Sequence, residues 1–173
     1  WEKLSRLDPA ARVVSSYNKA RIYMYQGEYE KALHSLDEGA KVEPNHPLVR
    51  IFRSFVLFYQ GKIDEAISIL SDVLEKNAKM EGIKPIMAVF LATQGRNEEA
   101  LAQLSNETKA LAKSDHDMSY WMSQAYSILG NKEESFKWLE RAIKLGNENK
   151  QWFETDVCLS NIRQDPHFKE LMD

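Results

Sequence analysis

Four histidines, one cysteine and one tight acidic cluster are the side chains of this 173-residue chain best suited to chemistry. His34, His46, His116 and His167 are spread along the sequence, and no two stand at the spacing that brings two imidazoles to one metal ion. Asp115-His116-Asp117 sets two carboxylates beside an imidazole, a combination suited to a metal or to acid–base work. Consecutive side chains on a helix point apart, however, and this triplet stands where a helix should begin. Asp115 therefore reads as a helix cap followed by surface polar groups. Cys158 is the only thiol, so no internal disulfide can form. With no basic neighbour in sequence to favour a thiolate, it reads as a half-buried structural residue rather than a nucleophile. Asn106-Glu107-Thr108 matches a glycosylation acceptor, which matters only in a secreted protein. The pairs Glu98-Glu99 and Glu133-Glu134 suit the first turns of helices, where carboxylates complement the helix dipole. No phosphate-cradling glycine loop, nucleophile elbow or zinc spacing occurs. The expectation is a protein with no catalytic residues, no metal and no cofactor, which acts by holding something else.

What would do the holding is set by a repeat. Gly27, Gly61, Gly95 and Gly130 recur at intervals of 34, 34 and 35 residues. Three more columns keep step with them. Seven residues before each glycine stands Ala20, Ser54, Ala88 or Ser123; five after stands Ala32, Ala66, Ala100 or Ser135; nine after stands Leu36, Leu70, Leu104 or Leu139. A period in this range marks a repeat array. Each unit reads as two helices around a tight turn. Residues 48–60 are rich in apolar side chains, Gly61-Lys62 interrupts them, and Ile63, Ala66, Ile67, Leu70 and Leu74 resume at helical spacing. Glycine suits the turn because a positive φ costs it nothing. Small residues let two helices cross closely, and the leucines fill the layer between successive units. One helical hairpin cannot bury its own apolar face, whereas a stack of them makes a continuous core.

These columns resemble the tetratricopeptide repeat, a 34-residue helical hairpin with small residues at its eighth and twentieth positions. Ala20, Ser54, Ala88 and Ser123 fill the eighth position, and Tyr23, Leu57, Leu91 and Tyr126 the eleventh, where that family carries an aromatic residue. The segment Gly27-Glu28-Tyr29-Glu30-Lys31-Ala32-Leu33 is very similar to the family's turn and second-helix start, and the family's late proline survives as Pro44. The family's large fourth and seventh positions depart from pattern: Ser16 and Lys19, Arg50 and Arg53, Lys84 and Met87. The resemblance implies an all-α fold, a right-handed superhelical solenoid of antiparallel helix pairs. It forms a single domain over 1–173, with repeats at 12–46, 47–80, 81–115 and 116–146.

The two ends complete this reading. Trp1, Leu4, Leu7, Asp8 and Pro9 look like the close of an earlier repeat's second helix, so 1–11 is expected to be a remnant and the chain a slice of a longer protein. A short capping helix is the alternative. Gly146 stops the last long helix, and 147–173 is expected to cap the stack. Asp165-Pro166 starts a terminal helix there. The stretch from Trp138 to Phe168 resembles the C-terminal repeat tails of bacterial signalling proteins that carry serine/threonine kinase, nucleotide cyclase or winged-helix heads. That likeness implies a C-terminal module of a larger regulator.

Basic residues number 23 against 26 acidic, a net charge of −3, which argues against a nucleic-acid surface and leaves a helical-repeat RNA reader as a lesser alternative. No apolar run approaches the length of a membrane span, and a cytoplasmic location is expected. In the resembling family first helices line the concave side. The concave groove is then expected to hold a peptide or protein segment with Tyr17, Arg21, Met24, Ile51, Phe55 and Phe58, while Tyr120 and Gln124 orient its far end. Aromatic residues and arginine dominate the energetics of such surfaces. The competing reading packs Ile51, Phe55 and Phe58 between units as core. The clamp with which some family members grip acidic chaperone tails is absent: its positions hold Tyr17, Arg21, Phe52, Gly82 and Ile86. Self-association, giving a homo-oligomer, and the sensing of a small ligand are the alternative roles.

Overall fold

A computed structural model describes residues 8–77 and 79–173. Every regular element among them is helical, so the all-α expectation holds. The chain falls into two compact units, 1–77 and 78–173. The first contains two antiparallel helix pairs: α1 (Pro9–Tyr25) with α2 (Tyr29–Val42), and α3 (Pro47–Tyr59) with α4 (Ile63–Lys76). The second contains a 3-10 turn (Glu81–Ile83), α5 (Lys84–Thr93), α6 (Asn97–Gln103), α7 (Asn106–Ala112), α8 (His116–Ile128) and α9 (Lys132–Lys144). It ends with α10 (Lys150–Thr155), a 3-10 turn (Val157–Leu159) and α11 (Pro166–Met172).

The glycine column closes the first helix of each pair in one way. Gly27, Gly61, Gly95 and Gly130 have φ of 73°, 80°, 75° and 77°. In the first pair, Gly27 N–H donates to Met24 O at 3.0 Å and Glu28 N–H to Tyr23 O at 2.8 Å. The same two bonds recur at Gly61, Gly95 and Gly130, so four Schellman motifs set four hairpins. A side chain at these left-handed positions would be strained. The small columns are fully buried in every pair. In the last pair Ser123 and Ser135 meet directly, Ser135 Oγ donating to Ser123 O at 2.9 Å.

In the first unit Gly39 packs α2 onto α1. A Cβ built on it would lie 2.1 Å from Ser16 Oγ and 3.3 Å from a methyl of Val49. The small Ser16 at a position where the family is large thus makes room for a tight crossing. Gly39→Ala gains about 1 kcal/mol of helix propensity, but overpacking costs about 1–3 kcal/mol. The expected net result is a loss of about 1 kcal/mol, read as a lower urea midpoint at unchanged slope. A raised midpoint would show that the crossing can relax. The two arginines at the other departing positions also acquire a purpose: Arg50 pairs with Asp72 of α4, and Arg53 with Asp37 of α2. Lys76 and Arg50 together hold the Asp72 carboxyl below its ordinary pKa.

Three features differ from the sequence expectation. Asp8 and Pro9 do not end an earlier helix; they begin α1, with Asp8 Oδ1 accepting from Ala10 N–H at 2.9 Å and proline at the first helical position. Trp1, Leu4 and Leu7 lie outside the described residues. The second helix of the third repeat is broken in two. Ser105 Oγ accepts from Thr108 N–H at 3.1 Å, which caps a new helix, α7, where the others run on for 13 or 14 residues. The C-terminal segment, finally, is two short helices around a 3-10 turn rather than one. His167 ties α11 to α9 through Glu140, 2.6 Å from Nε2. That bond, with Glu170 beside it, raises the imidazole pKa.

Candidate functional site

The chemistry-bearing residues have structural duties. Asp115 caps α8, accepting from Met118 N–H at 2.8 Å. Thr108 of the glycosylation triplet is buried, its hydroxyl donating to Gln103 O at 3.1 Å. Cys158 is buried too. Among the described residues no cluster of His, Cys, Asp or Glu has the arrangement of a metal site, and no helix is long and apolar enough to cross a membrane.

The proposed groove residues divide into three groups. Met24, Ile51, Phe55 and Phe58 are buried, with Phe55 only 4% exposed. Their apolar side chains follow the packing rule rather than line an open wall. Tyr17 and Arg21, one turn apart on α1, stay half-buried. The Tyr17 ring lies parallel to Phe52 of α3, centroids 5.7 Å apart with 2° between planes, and stacks on His46 at 6.1 Å. Phe52 in turn touches Phe55, at 6.2 Å. The result is a partly exposed aromatic platform spanning α1, α3 and the loop before α3, with its rings held by core neighbours. Phe52 and His46 are not among the residues expected to line the groove; the sequence reading places Phe52 only at a position of the absent chaperone clamp and His46 only among the scattered histidines. Their signal was the register: Phe52 is one residue from the expected Ile51, and His46 precedes Pro47 at the helix start.

Tyr120 and Gln124 are turned to another task. The expectation that they orient a ligand is corrected by the chain's own C-terminal segment, which covers this part of α8. The buried Asp156 accepts from Tyr120 Oη and from Gln124 Nε2, both at 2.5 Å, and from Cys158 N–H at 3.0 Å. Its carbonyl accepts from the Arg163 guanidinium. Phe153 stacks on the Tyr120 ring at 4.7 Å, and Asn161 Nδ2 donates to Ser127 O at 2.9 Å. Leu139, Leu159, Ile162 and Phe168 complete a core around this latch.

Two stretches match family models for the tetratricopeptide repeat, residues 15–46 and residues 116–149. No curated protein matches the chain. Among solved structures it is similar to "MamA 41-end from Desulfovibrio magneticus RS-1", at 19% identity and a TM-score of 0.51, over 93% of this chain and 89% of that one. The "MamA RS-1 ArsTM double mutant" is similar at 22% identity and a TM-score of 0.51, over 92% and 89%. A further "Crystal structure of MamA" has 17% identity and a TM-score of 0.50, over 83% of each chain. At these identities the likeness is one of fold. With the recurrent Schellman hairpins, the buried small columns and the two matched stretches together, the chain carries tetratricopeptide repeats, matched at 15–46 and 116–149, in an all-α fold of that repeat type.

Proposed function

We propose that this chain is a non-catalytic interaction module that takes a peptide or protein segment on the first-helix face of its first unit. The observation that carries the reading is the Tyr17–Phe52–His46 stack. It is a partly exposed aromatic surface made rigid by Phe55, with Arg21 one turn away. Rigid aromatic rings and arginine give large contact area at little cost in lost side-chain freedom, which is why they recur as binding hot spots. Met24, Ile51, Phe55 and Phe58 support this surface from within. A place in a larger bacterial regulatory protein of the cytoplasm is the setting that the likeness of its C-terminal tail favours.

The test is selection of binders from a displayed peptide library on the intact chain, followed by titration of the enriched peptides. Tyr17→Ala should weaken them by about 30-fold, the effect of losing a hot spot of about 2 kcal/mol, while thermal unfolding stays near that of the parent. Equal affinity in Tyr17→Ala would remove the platform as the site. Light scattering over a dilution series tests the alternative role: a dimer that Tyr17→Ala dissolves would reassign this face to self-association.

A further inference from the structure

A second surface lies wholly within the second unit, on the second-helix side. A groove of about 880 Å³ opens between α7 and α9, floored by Tyr126 and Trp138 and edged by Leu101. Its volume falls within the range of ligand sites. Its lining includes Leu101 and Asn106, which stand on either side of the break at Leu104-Ser105 in the third repeat's second helix. The short α7 is pinned separately: Ser119 Oγ donates to Ala112 O at 2.6 Å, and Arg141 Nε donates to Lys113 O at 2.7 Å.

The charge of the groove runs against that of the chain. Lys109, Lys113, Lys137, Arg141 and Lys144 line it against two carboxylates, Glu134 and Glu140, in a protein of net charge −3. Both carboxylates are engaged. Glu134 accepts from Lys137 Nζ at 2.6 Å and from the Trp138 indole at 3.1 Å, and Glu140 meets His167 at 2.6 Å. Lys109 lies over the Tyr126 ring at 5.8 Å. Among the described residues the ammonium groups of Lys113 and Lys144 meet no carboxylate. Leu101, beside them, is 51% exposed.

We propose that this groove binds an acidic peptide segment of a partner protein, its carboxylates meeting Lys109, Lys113 and Lys144 and an apolar side chain resting on Leu101. Charge complementarity selects the occupant. Several cations converge on one open groove with an apolar edge, which fits alternating acidic and apolar side chains. A nucleic-acid backbone would call for an extended basic stripe free of interleaved carboxylates. The proposal is independent of the platform in the first unit and can fail without it.

The experiment uses the intact chain and a short fluorescent peptide alternating Glu and Leu, followed by anisotropy. A peptide alternating Lys and Leu and a single-stranded RNA of similar length serve as comparisons. The Glu/Leu peptide is expected to bind, to weaken as salt rises, and to lose about tenfold or more in Lys113→Glu/Lys144→Glu. Lys19→Glu/Lys62→Glu, which changes the net charge equally outside the groove, should bind as the parent does. Leu101→Ser should weaken binding with the salt dependence kept. Circular dichroism checks that each variant folds, as expected for exposed positions. The proposal is overturned by no binding of the Glu/Leu peptide, by equal loss in both charge-reversal variants, or by tighter binding of the RNA.

Discussion

Asp156→Ala is expected to remove roughly 3–5 kcal/mol from the stability of the second unit, because it takes one partner from a fully buried polar cluster. Tyr120 Oη, Gln124 Nε2 and the Cys158 N–H all donate to this one carboxyl. Without it each is stranded away from water, at about 1–3 kcal/mol per group before relaxation. The loss should be local. Amide exchange in residues 116–173 should quicken, while 8–77 keeps its protection. Asp156→Asn separates hydrogen bonding from shape. Its carbonyl can still cap the turn at Cys158, and turning the Gln124 amide over would let that side chain accept from the new amide. A cost of about half that of the alanine variant follows, since one bond is remade and one weakened. Equal costs for the two variants would mean that the carboxyl's second oxygen is what matters. A cost below about 1 kcal/mol for alanine would mean that water enters and the latch is not closed.

The latch also shows which parts of the architecture the sequence makes legible. The glycine and small-residue columns carry their cause with them: only glycine closes a helix at φ near +75° without strain, and only a small side chain fits where two helices cross. Such constraints act locally and repeat, so four copies in register are enough to read them. The break between α6 and α7 was legible in part, since Ser105 followed three residues later by Thr108 is a cap written inside a helix. It was masked because Ala100 and Leu104 keep the repeat's register through it. The return of Asp156 onto Tyr120 and Gln124 had no such signal. Register puts those two residues on the first-helix face, but only the tertiary path of the last residues decides whether solvent, a ligand or the chain itself covers them. The same limit applies to Ile51, Phe55 and Phe58. Apolar residues at helical spacing state that a face is covered, not what covers it.

Phe55→Ala decides between those two meanings of an apolar face. Were Phe55 part of an open wall, truncating it would weaken a partner's binding and leave folding intact. At 4% exposure, in contact with Phe52, it should instead cost about 3–5 kcal/mol of unfolding free energy, the price of a large cavity in a packed interior. Tyr17→Ala, at a half-buried position over the same rings, should cost about 1 kcal/mol or less, because the transfer term is smaller and the site is open to water. Urea unfolding of the two variants side by side measures the contrast. Binding then adds a second axis: Tyr17→Ala loses affinity while keeping stability, whereas Phe55→Ala loses stability first and affinity only through the platform it supports. If Phe55→Ala proved as benign to folding as Tyr17→Ala, Phe55 would belong to the binding surface itself, and the wall inferred from register alone would be the better description of the site.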